Sequence, residues 1–335
     1  VLFRSDYTNP DAVAWWHSMM DNVLKLPKTG DGVDGWKCDA SDPYILEYML
    51  LGGAYGYNDH KYESYHEYSY LYYGDFFNYT REVRGDEGLI MSRPVDCLDR
   101  RGKFAGSVCL AQSPPYVMTS GWVGDDDGNM AGLKICADKV IFSAWDNFAN
   151  YGCDIGGYRG TDGNPTDATK KEYFLRSAQL NAFLPLMENG GGGEHRPWMV
   201  VPEDADSITD IYRTFVDQHY RISPHLLTIG ANALDASESV VTPLAENKPP
   251  ARKPLKDKRE YPRPTTYSYL LGESILVHPV VDSSLTDNST AIVENQVQMT
   301  FPAGHWLDWW HPSVEKFTHV SDSTVTETNS VAIDS

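Results

Sequence analysis

Gly35-Trp36-Lys37-Cys38-Asp39-Ala40 is the stretch on which the reading of this chain turns. Gly32, Val33, Asp34 and Gly35 lead into Trp36 and Lys37, a short strand by composition, and Ser41, Asp42 and Pro43 then form a turn. A carboxylate at the C-terminal end of a buried strand, beside a lysine and ahead of a loop, is where α/β barrels keep reacting groups. An Asp in that place also serves as a turn-former or a helix cap, and one stretch alone does not choose between the two.

Two further stretches have the same form. Gly121-Trp122-Val123-Gly124-Asp125-Asp126-Asp127-Gly128-Asn129 places a carboxylate after an apolar lead containing Trp, and Tyr151-Gly152-Cys153-Asp154-Ile155-Gly156-Gly157-Tyr158 does so again. In that order the three resemble signature blocks of glycoside hydrolase family 31: the nucleophile block, the acid/base block and the downstream Asp-Ile-Gly-Gly-Phe/Tyr block. Each block is short, but three in the family's order are much harder to meet by chance.

Composition bounds the function classes. The 335 residues are 41% hydrophobic and 12% aromatic, enough to bury a large core and to hold more than one domain. Twenty-one Tyr and nine Trp are many; exposed aromatics stack on sugar faces, although most serve the core. A formal charge of −19 argues against nucleic acid and anionic membrane surfaces, while neutral or cationic substrates stay compatible. No run of 18 apolar residues occurs, so no membrane span is expected. Cys38, Cys97, Cys109, Cys136 and Cys153 are odd in number and contain no Cys-x-x-Cys, which excludes zinc and redox motifs. Cys38 and Cys153 each precede a candidate Asp and read as buried small hydrophobes. Sequons at Asn78-Tyr79-Thr80 and Asn288-Ser289-Thr290 permit glycosylation and lean toward the secretory pathway, leaving the compartment open. The chain starts at Val1 and enters structure at once, which reads as truncation at the N-terminus. Oligomeric state is not legible.

The remaining segments fit around the three blocks. Asn9 reads as an N-cap and Pro10 as the first residue of a helix whose Val13, Trp16, Met20, Val23 and Leu24 recur at helical spacing. The Asp6-Tyr7-Thr8-Asn9-Pro10 opening is similar to the family's block that opens a barrel helix. Residues 43–85 are crowded with Tyr and show helical periodicity over 66–83. With their Gly-rich piece at 52–57 they read either as a loop insertion over a sugar site or as a surface excursion packed by its aromatics. Residues 88–93 read as a barrel strand, 95–119 as a loop insertion, 131–140 as a helix and 141–145 as strand-like. Residues 170–183 read as a helix, and so do 204–230, with Ile208, Ile211, Tyr212, Phe215 and Tyr220 on one face. Gly156-Gly157 lacks the strand–GxGxxG–helix setting, which excludes nucleotide binding. Residues 246–264 shift to Pro and Lys, as a linker does. Residues 269–281 resemble the family's junction into its β-sandwich, and 297–310 a strand and turn of that domain. The resemblance therefore implies an α/β fold: a (β/α)8 TIM barrel over residues 1–240, incomplete and entered at about its third strand, with the Tyr-rich insertion near 43–85. Residues 241–335 would be a linker and part of an all-β sandwich.

The chemistry that the resemblance implies is retaining glycoside hydrolysis. It needs two carboxyl groups about 5–5.5 Å apart, one ionised to attack the anomeric carbon and one protonated to release the leaving oxygen. By the family's pattern Asp39 is the nucleophile and Asp125 the acid/base, with Asp126 the second choice for the acid. Lys37 and a strand-end Arg93 would favour the charged form of Asp39, while Asp126 and Asp127 crowd Asp125 with like charge, as suits a proton donor. The same Asp run reads as a solvated turn or a calcium loop, although Asp138 does not complete an EF-hand. Arg93, Asp154, His195, Trp122 and Lys37 are the candidate substrate-binding residues. Arg93 departs from the family in being followed by Pro94 and in standing further than usual from Asp125. Where the family carries a sugar-binding His after an Arg-Asn or Arg-Leu pair, this chain has Asn189 and then Gly190. His195 stands ready to substitute from further along the loop, or is a surface residue. No metal or organic cofactor is required, and no Gly-x-Ser-x-Gly supports Ser-His-Asp catalysis. The implied activity is that of a retaining α-glycosidase, an α-glucosidase by default, acting on an oligosaccharide or glycoside. Ala40-Ser41-Asp42-Pro43 lacks the Met-Asn-Glu that often follows the nucleophile, which keeps α-xylosidase and α-galactosidase in view. A non-catalytic carbohydrate-binding homologue is the alternative from another class.

Overall fold

The structure, a computed structural model, describes residues 6–25, 32–39, 56–61, 65–93, 95–96, 110–111, 113–117, 120–160, 165–192, 194–245, 247, 264–281, 292–293, 296–310, 317–320 and 327–332. Helix α1 (Pro10–Leu24) begins where the Asn9 side chain accepts from the N–H groups of Asp11 and Ala12, with Pro10 in the first turn. It buries Met20 and Leu24 one turn apart, while Val23, on the flank of that face, is exposed instead of joining it. Strand β1 (Gly35–Lys37) leads to Asp39, and α2 (Tyr65–Arg84) returns the chain to β2 (Leu89–Ser92), parallel to β1. Tyr68, Tyr73, Phe76 and Tyr79 of α2 are buried, and Phe76 meets Trp36 of β1 edge to face. From residue 65 onward the Tyr-rich stretch is thus a crossover helix of the α/β framework. Residues 43–55, with most of the Gly-rich piece, lie outside the described residues.

Strands β3 (Val95–Asp96) and β4 (Leu110–Ala111) form a small antiparallel pair, and β5 (Ser120–Gly121) rejoins β2 in parallel. Helix α3 (Met130–Trp145) follows, then β6 (Asp154–Ile155), α4 (Asp167–Ala182), β7 (Glu188–Asn189), the short α5 (Pro197–Val200) and the long α6 (Ala205–Ala236). Residues 141–145 are the last turns of α3, not a strand. The helix is buried all round from Cys136 to Trp145, and a short, mostly apolar run such as 140–145 carries no period by which to tell a buried helix from a strand. On α6 the core side is Ile208, Ile222, Gly230 and Ala233, with Phe215, Leu226 and Ile229 packed beside them; Tyr220 stands 79% exposed on the other side, off the expected apolar face.

The parallel strands make one arc. Beyond β1, β2 and β5, a parallel bridge between Trp122 and Gly152 carries the ladder on to β6 and β7. In a flat sheet β1 and β7, four steps apart, would be separated by about 19 Å. Yet Lys37 at the end of β1 lies 3.5 Å from both carboxylate oxygens of Glu188 in β7. The arc is therefore curled so that its first and last strands face each other, as strands across a barrel do.

From β8 (Val241–Pro243) onward every described strand pairing is antiparallel. Strands β8, β9 (Tyr269–Leu271) and β10 (Ile275–Val277) form one sheet whose Val241, Tyr269, Leu271 and Val277 share a core with Val140, Ile141 and Phe142 of α3. Strand β12 (Gln296–Phe301) pairs with β11 (Ile292–Val293) and β15 (Glu327–Ala332), and β13 (Gly304–Leu307) with β14 (Phe317–Val320). Each large apolar side chain buried in the α3 core contributes about 1.5–3 kcal/mol. A disulfide between Cys136 and Cys153 pins α3 to the segment that carries Asp154. Cys153 is thus a bonded half-cystine, where the sequence reads as a small hydrophobe; spacing does not reveal a pairing between a helix and a strand end. Cys38 is free and buried, as expected, and burial beside Asp39 pushes its thiol well above the ordinary range.

Candidate active site

All seven sequence-predicted site residues lie in or just beyond the C-terminal ends of the parallel strands, except His195 in the loop after β7. Arg93, one residue past β2, is 1% exposed and joins the two principal carboxylates. Its Nε donates to Asp39 Oδ1 at 2.9 Å, and its Nη2 lies 2.7 Å from Asp39 Oδ1 and 2.8 Å from Asp125 Oδ1. Two oxygens at those distances from one nitrogen are no more than 5.5 Å apart. The Asp39 side chain is 48% exposed and that of Asp125 is 21% exposed, so the cation is buried behind carboxylates that face outward. Tyr72 of α2 fixes Asp39 from the other side, its hydroxyl donating to the Asp39 carbonyl at 2.8 Å.

The loop carrying Asp125 is held from beneath. Asp126 is buried and accepts from Nζ of the fully buried Lys139 at 2.8 Å. Asp127 faces Arg159 at 3.5 Å, and Arg159 Nη2 also donates to the Asp125 carbonyl at 3.1 Å. The like charge expected to crowd Asp125 is thus answered by two cations. These same ion pairs make the Asp run a structured turn, and among the described residues no cluster of His, Cys, Asp and Glu has the makings of a metal site. Gly124 explains the Trp-x-Gly that precedes Asp125. Its φ of +92° favours glycine, and a Cβ there would lie 2.7 Å from Arg93 Nη1.

Asp154 sits in a different setting. Its side chain is 3% exposed, and among the described residues Oδ1 accepts no hydrogen bond and faces Lys37 at 3.9 Å. Burial pushes its carboxyl up to about 7; Lys37 opposes the shift, while Glu188, Asp126 and Asp125 add to it. Gly190 makes this position available, since a Cβ at residue 190 would fall 2.2 Å from Asp154 Oδ1. Lys37 and Arg93 both lie over the Trp122 ring, 4.4 and 5.1 Å from its centre. Trp122 is 1% exposed and so supports the two cations without offering a face of its own to a ligand.

His195 is half-buried, and its backbone carbonyl accepts from Asn189 Nδ2 at 2.7 Å, while Tyr212 of α6 donates to Asn189 Oδ1. Asn189 thus ties the loop that holds His195 to β7 and α6. Sequence reasoning missed Glu188, Lys139, Arg159 and Tyr72. For Glu188 the signal was present: it stands where the family pattern carries Arg, immediately before Asn189-Gly190. Lys139 gives no local signal, being one lysine in a helix.

Residues 4–229 match the Glycosyl hydrolases family 31 TIM-barrel domain, and residues 250–333 match the Glycosyl hydrolase family 31 C-terminal domain. A 1,3-alpha-isomaltosidase of Kribbella flavida is 24% identical over 201 residues, covering 56% of this chain and 24% of that protein. Neutral alpha-glucosidase C of Mus musculus is 24% identical over 288 residues, covering 83% and 28%. The structure of the cycloalternan-forming enzyme from Listeria monocytogenes with a pentasaccharide substrate superposes with a TM-score of 0.65 at 22% identity, over 98% of this chain and 26% of that one. That likeness speaks to the fold alone. The chain spans about a quarter of the length of these two relatives.

Proposed function

The chain belongs to glycoside hydrolase family 31, and from that premise we propose a retaining α-glycosidase, an α-glucosidase first, with Asp39 as nucleophile and Asp125 as acid/base. The observation that carries this reading is the shared guanidinium. Two carboxylates held by one guanidinium, with their facing oxygens no more than 5.5 Å apart, suit the close pair that double displacement uses. Asp39 attacks the anomeric carbon while Asp125 gives its proton to the leaving oxygen, and a β-linked glycosyl-enzyme forms. Asp125, now ionised, takes a proton from water; the resulting attack at the same carbon expels Asp39 and releases the α-sugar. Arg93, Asp154 and Lys37 hold ring hydroxyls, with His195 reaching in from its loop. Asp126 is the poorer acid because it is turned inward onto the buried Lys139, whereas the Asp125 side chain is 21% exposed beside Asp39.

The curled five-strand arc belongs to a (β/α)8 barrel that residues 1–240 hold incompletely, from about its third strand, and residues 241–335 hold the linker and part of the β-sandwich. The activities named for the relatives, an isomaltosidase and an α-glucosidase, favour glucose-containing substrates. Gly190 favours a second reading, an α-xylosidase or α-galactosidase, because the place of the family's sugar-binding His carries no side chain. The Cys136–Cys153 disulfide supports an oxidising compartment. The test is turnover of aryl α-glucoside, α-xyloside and α-galactoside, with Asp39→Ala alongside and the first-formed anomer followed by NMR. Turnover lost in the variant, with the α-anomer appearing first, is expected. A folded protein silent on the whole panel returns the chain to the carbohydrate-binding alternative.

A further inference from the structure

Among the described residues four cations serve the site, and each has a carboxylate partner. Arg93 is paired with Asp39 and Asp125, Lys139 with Asp126, Arg159 with Asp127, and Lys37 with Glu188 and Asp154. They differ in exposure. The side chains of Arg93 and Lys139 are 1% and 0% exposed and that of Arg159 is 31% exposed, whereas that of Lys37 is 43% exposed. Lys37 is therefore the ammonium that an incoming ligand meets first. Its position is set by Glu188, both of whose oxygens lie 3.5 Å from Nζ, and by the Trp122 ring beneath it. Glu188 is half-buried in β7, opposite β1 across the curled arc, so this pair spans the site.

We propose that Glu188 sets the charge selectivity of the site: by neutralising Lys37 it denies an ammonium to anionic sugars, so the protein takes neutral glycosides and rejects glycosides bearing a carboxylate or sulfonate. This rests on the glycosidase reading above and deepens it to a substrate class. A negatively charged substituent placed at Lys37 would meet Glu188 and Asp154, while each of the four cations named above already faces a carboxylate, and like-charge juxtaposition is an effective way to exclude a competitor. Glu188 acts through Lys37 and is a positioning residue. Removing its charge leaves Lys37 with Asp154, 3.9 Å away, as its acidic partner among the described residues.

The test compares kcat/KM for 4-nitrophenyl α-glucoside and 4-nitrophenyl α-glucuronide in the purified protein, in Glu188→Gln and in Glu188→Gln combined with Lys37→Met. The protein itself should favour the glucoside by roughly a hundredfold or more. Glu188→Gln should move the ratio toward the glucuronide by roughly tenfold or more, and Lys37→Met should erase that gain. A purely structural role would lower both activities in proportion and leave the ratio where it was, which would overturn the proposal. Equal turnover of the two glycosides by the unmodified protein would overturn it without any variant having to fold. Glu188→Asp, which withdraws the carboxylate by one methylene, should shift the ratio in the same direction by less. Inertness of the unmodified protein on every glycoside is a separate outcome: it removes the glycosidase reading, and this proposal with it.

Discussion

Two charge clusters share the mouth of the curled sheet and are built inside out with respect to each other. Around Arg93 the cation is buried and its carboxylates are exposed, Asp39 most of all. Around Asp154 the carboxylate is buried and its cation, Lys37, is exposed. Desolvation falls on whichever group is inside, and the consequences differ. A buried guanidinium cannot lose its proton, so it stays charged and aims two carboxylates outward. A buried carboxyl can take up a proton, and Asp154 does, being pushed up to about 7. The first arrangement suits groups that must react; the second suits a group that holds hydroxyls and responds to pH.

The sharpest way to break this contrast is to delete the outward carboxylates. Asp39→Ala should lower kcat on an aryl α-glycoside by about a thousandfold or more, in a protein that still unfolds cooperatively. Asp125→Ala should cost about 10²–10⁴-fold with leaving groups that need a proton, and much less with a dinitrophenolate, which leaves unaided. Equal losses on both kinds of leaving group would remove Asp125 from the role of acid.

At the other cluster the matching perturbation is Gly190→Ala. Its methyl would collide with Asp154 Oδ1 at 2.2 Å, so either the loop or the carboxylate must yield. Overpacking of this kind costs about 1–3 kcal/mol in denaturant unfolding. Combining it with Asp154→Ala should recover part of that loss, because the collision has lost one of its partners. A cycle with no coupling would mean that the carboxylate does not occupy the space that Gly190 leaves.

The pH dependence of stability separates the clusters further. Unfolded, Asp154 ionises near its ordinary 3.8; folded, it does so at about 7. Between those values the folded state binds the extra proton, so this group's contribution to stability falls as pH rises through the window and levels off above it. Thermal unfolding of the parent and Asp154→Asn at pH 5 and pH 8 reads this difference directly. The parent should lose more stability than the variant over that range, and parallel losses would show that Asp154 is not held protonated by burial.

How far all this was legible follows the range over which each signal acts. Asp39, Asp125 and Asp154 stand out because strand, turn and carboxylate are contiguous in sequence, and the Asn9-Pro10 helix start is equally local. Residues 141–145 mislead, since a helix buried on every side shows no amphipathic period. The Cys136–Cys153 bond, the Lys139–Asp126 pair and the Lys37–Glu188 contact across 151 residues depend on how the sheet curls, which no short window encodes. Trp122 has the composition of a sugar platform, but only packing shows that two cations cover it.

The smallest effect expected concerns the outward cluster again. Tyr72 is packed edge to face against Tyr7, Tyr73 and Phe76, and its hydroxyl donates to the Asp39 carbonyl. Tyr72→Phe keeps that packing and deletes one hydrogen bond, so unfolding free energy should drop by about 0.5–1.5 kcal/mol. If the bond serves to aim Asp39, kcat should fall several-fold while KM stays within about twofold, because an interaction made in the transition state is lost rather than uniform binding. The equivalent change near Asp154, Tyr212→Phe, removes a hydrogen bond to Asn189 in the binding loop and should act on KM instead. If both variants moved the same constant, the division between a reacting cluster and a holding cluster would not survive.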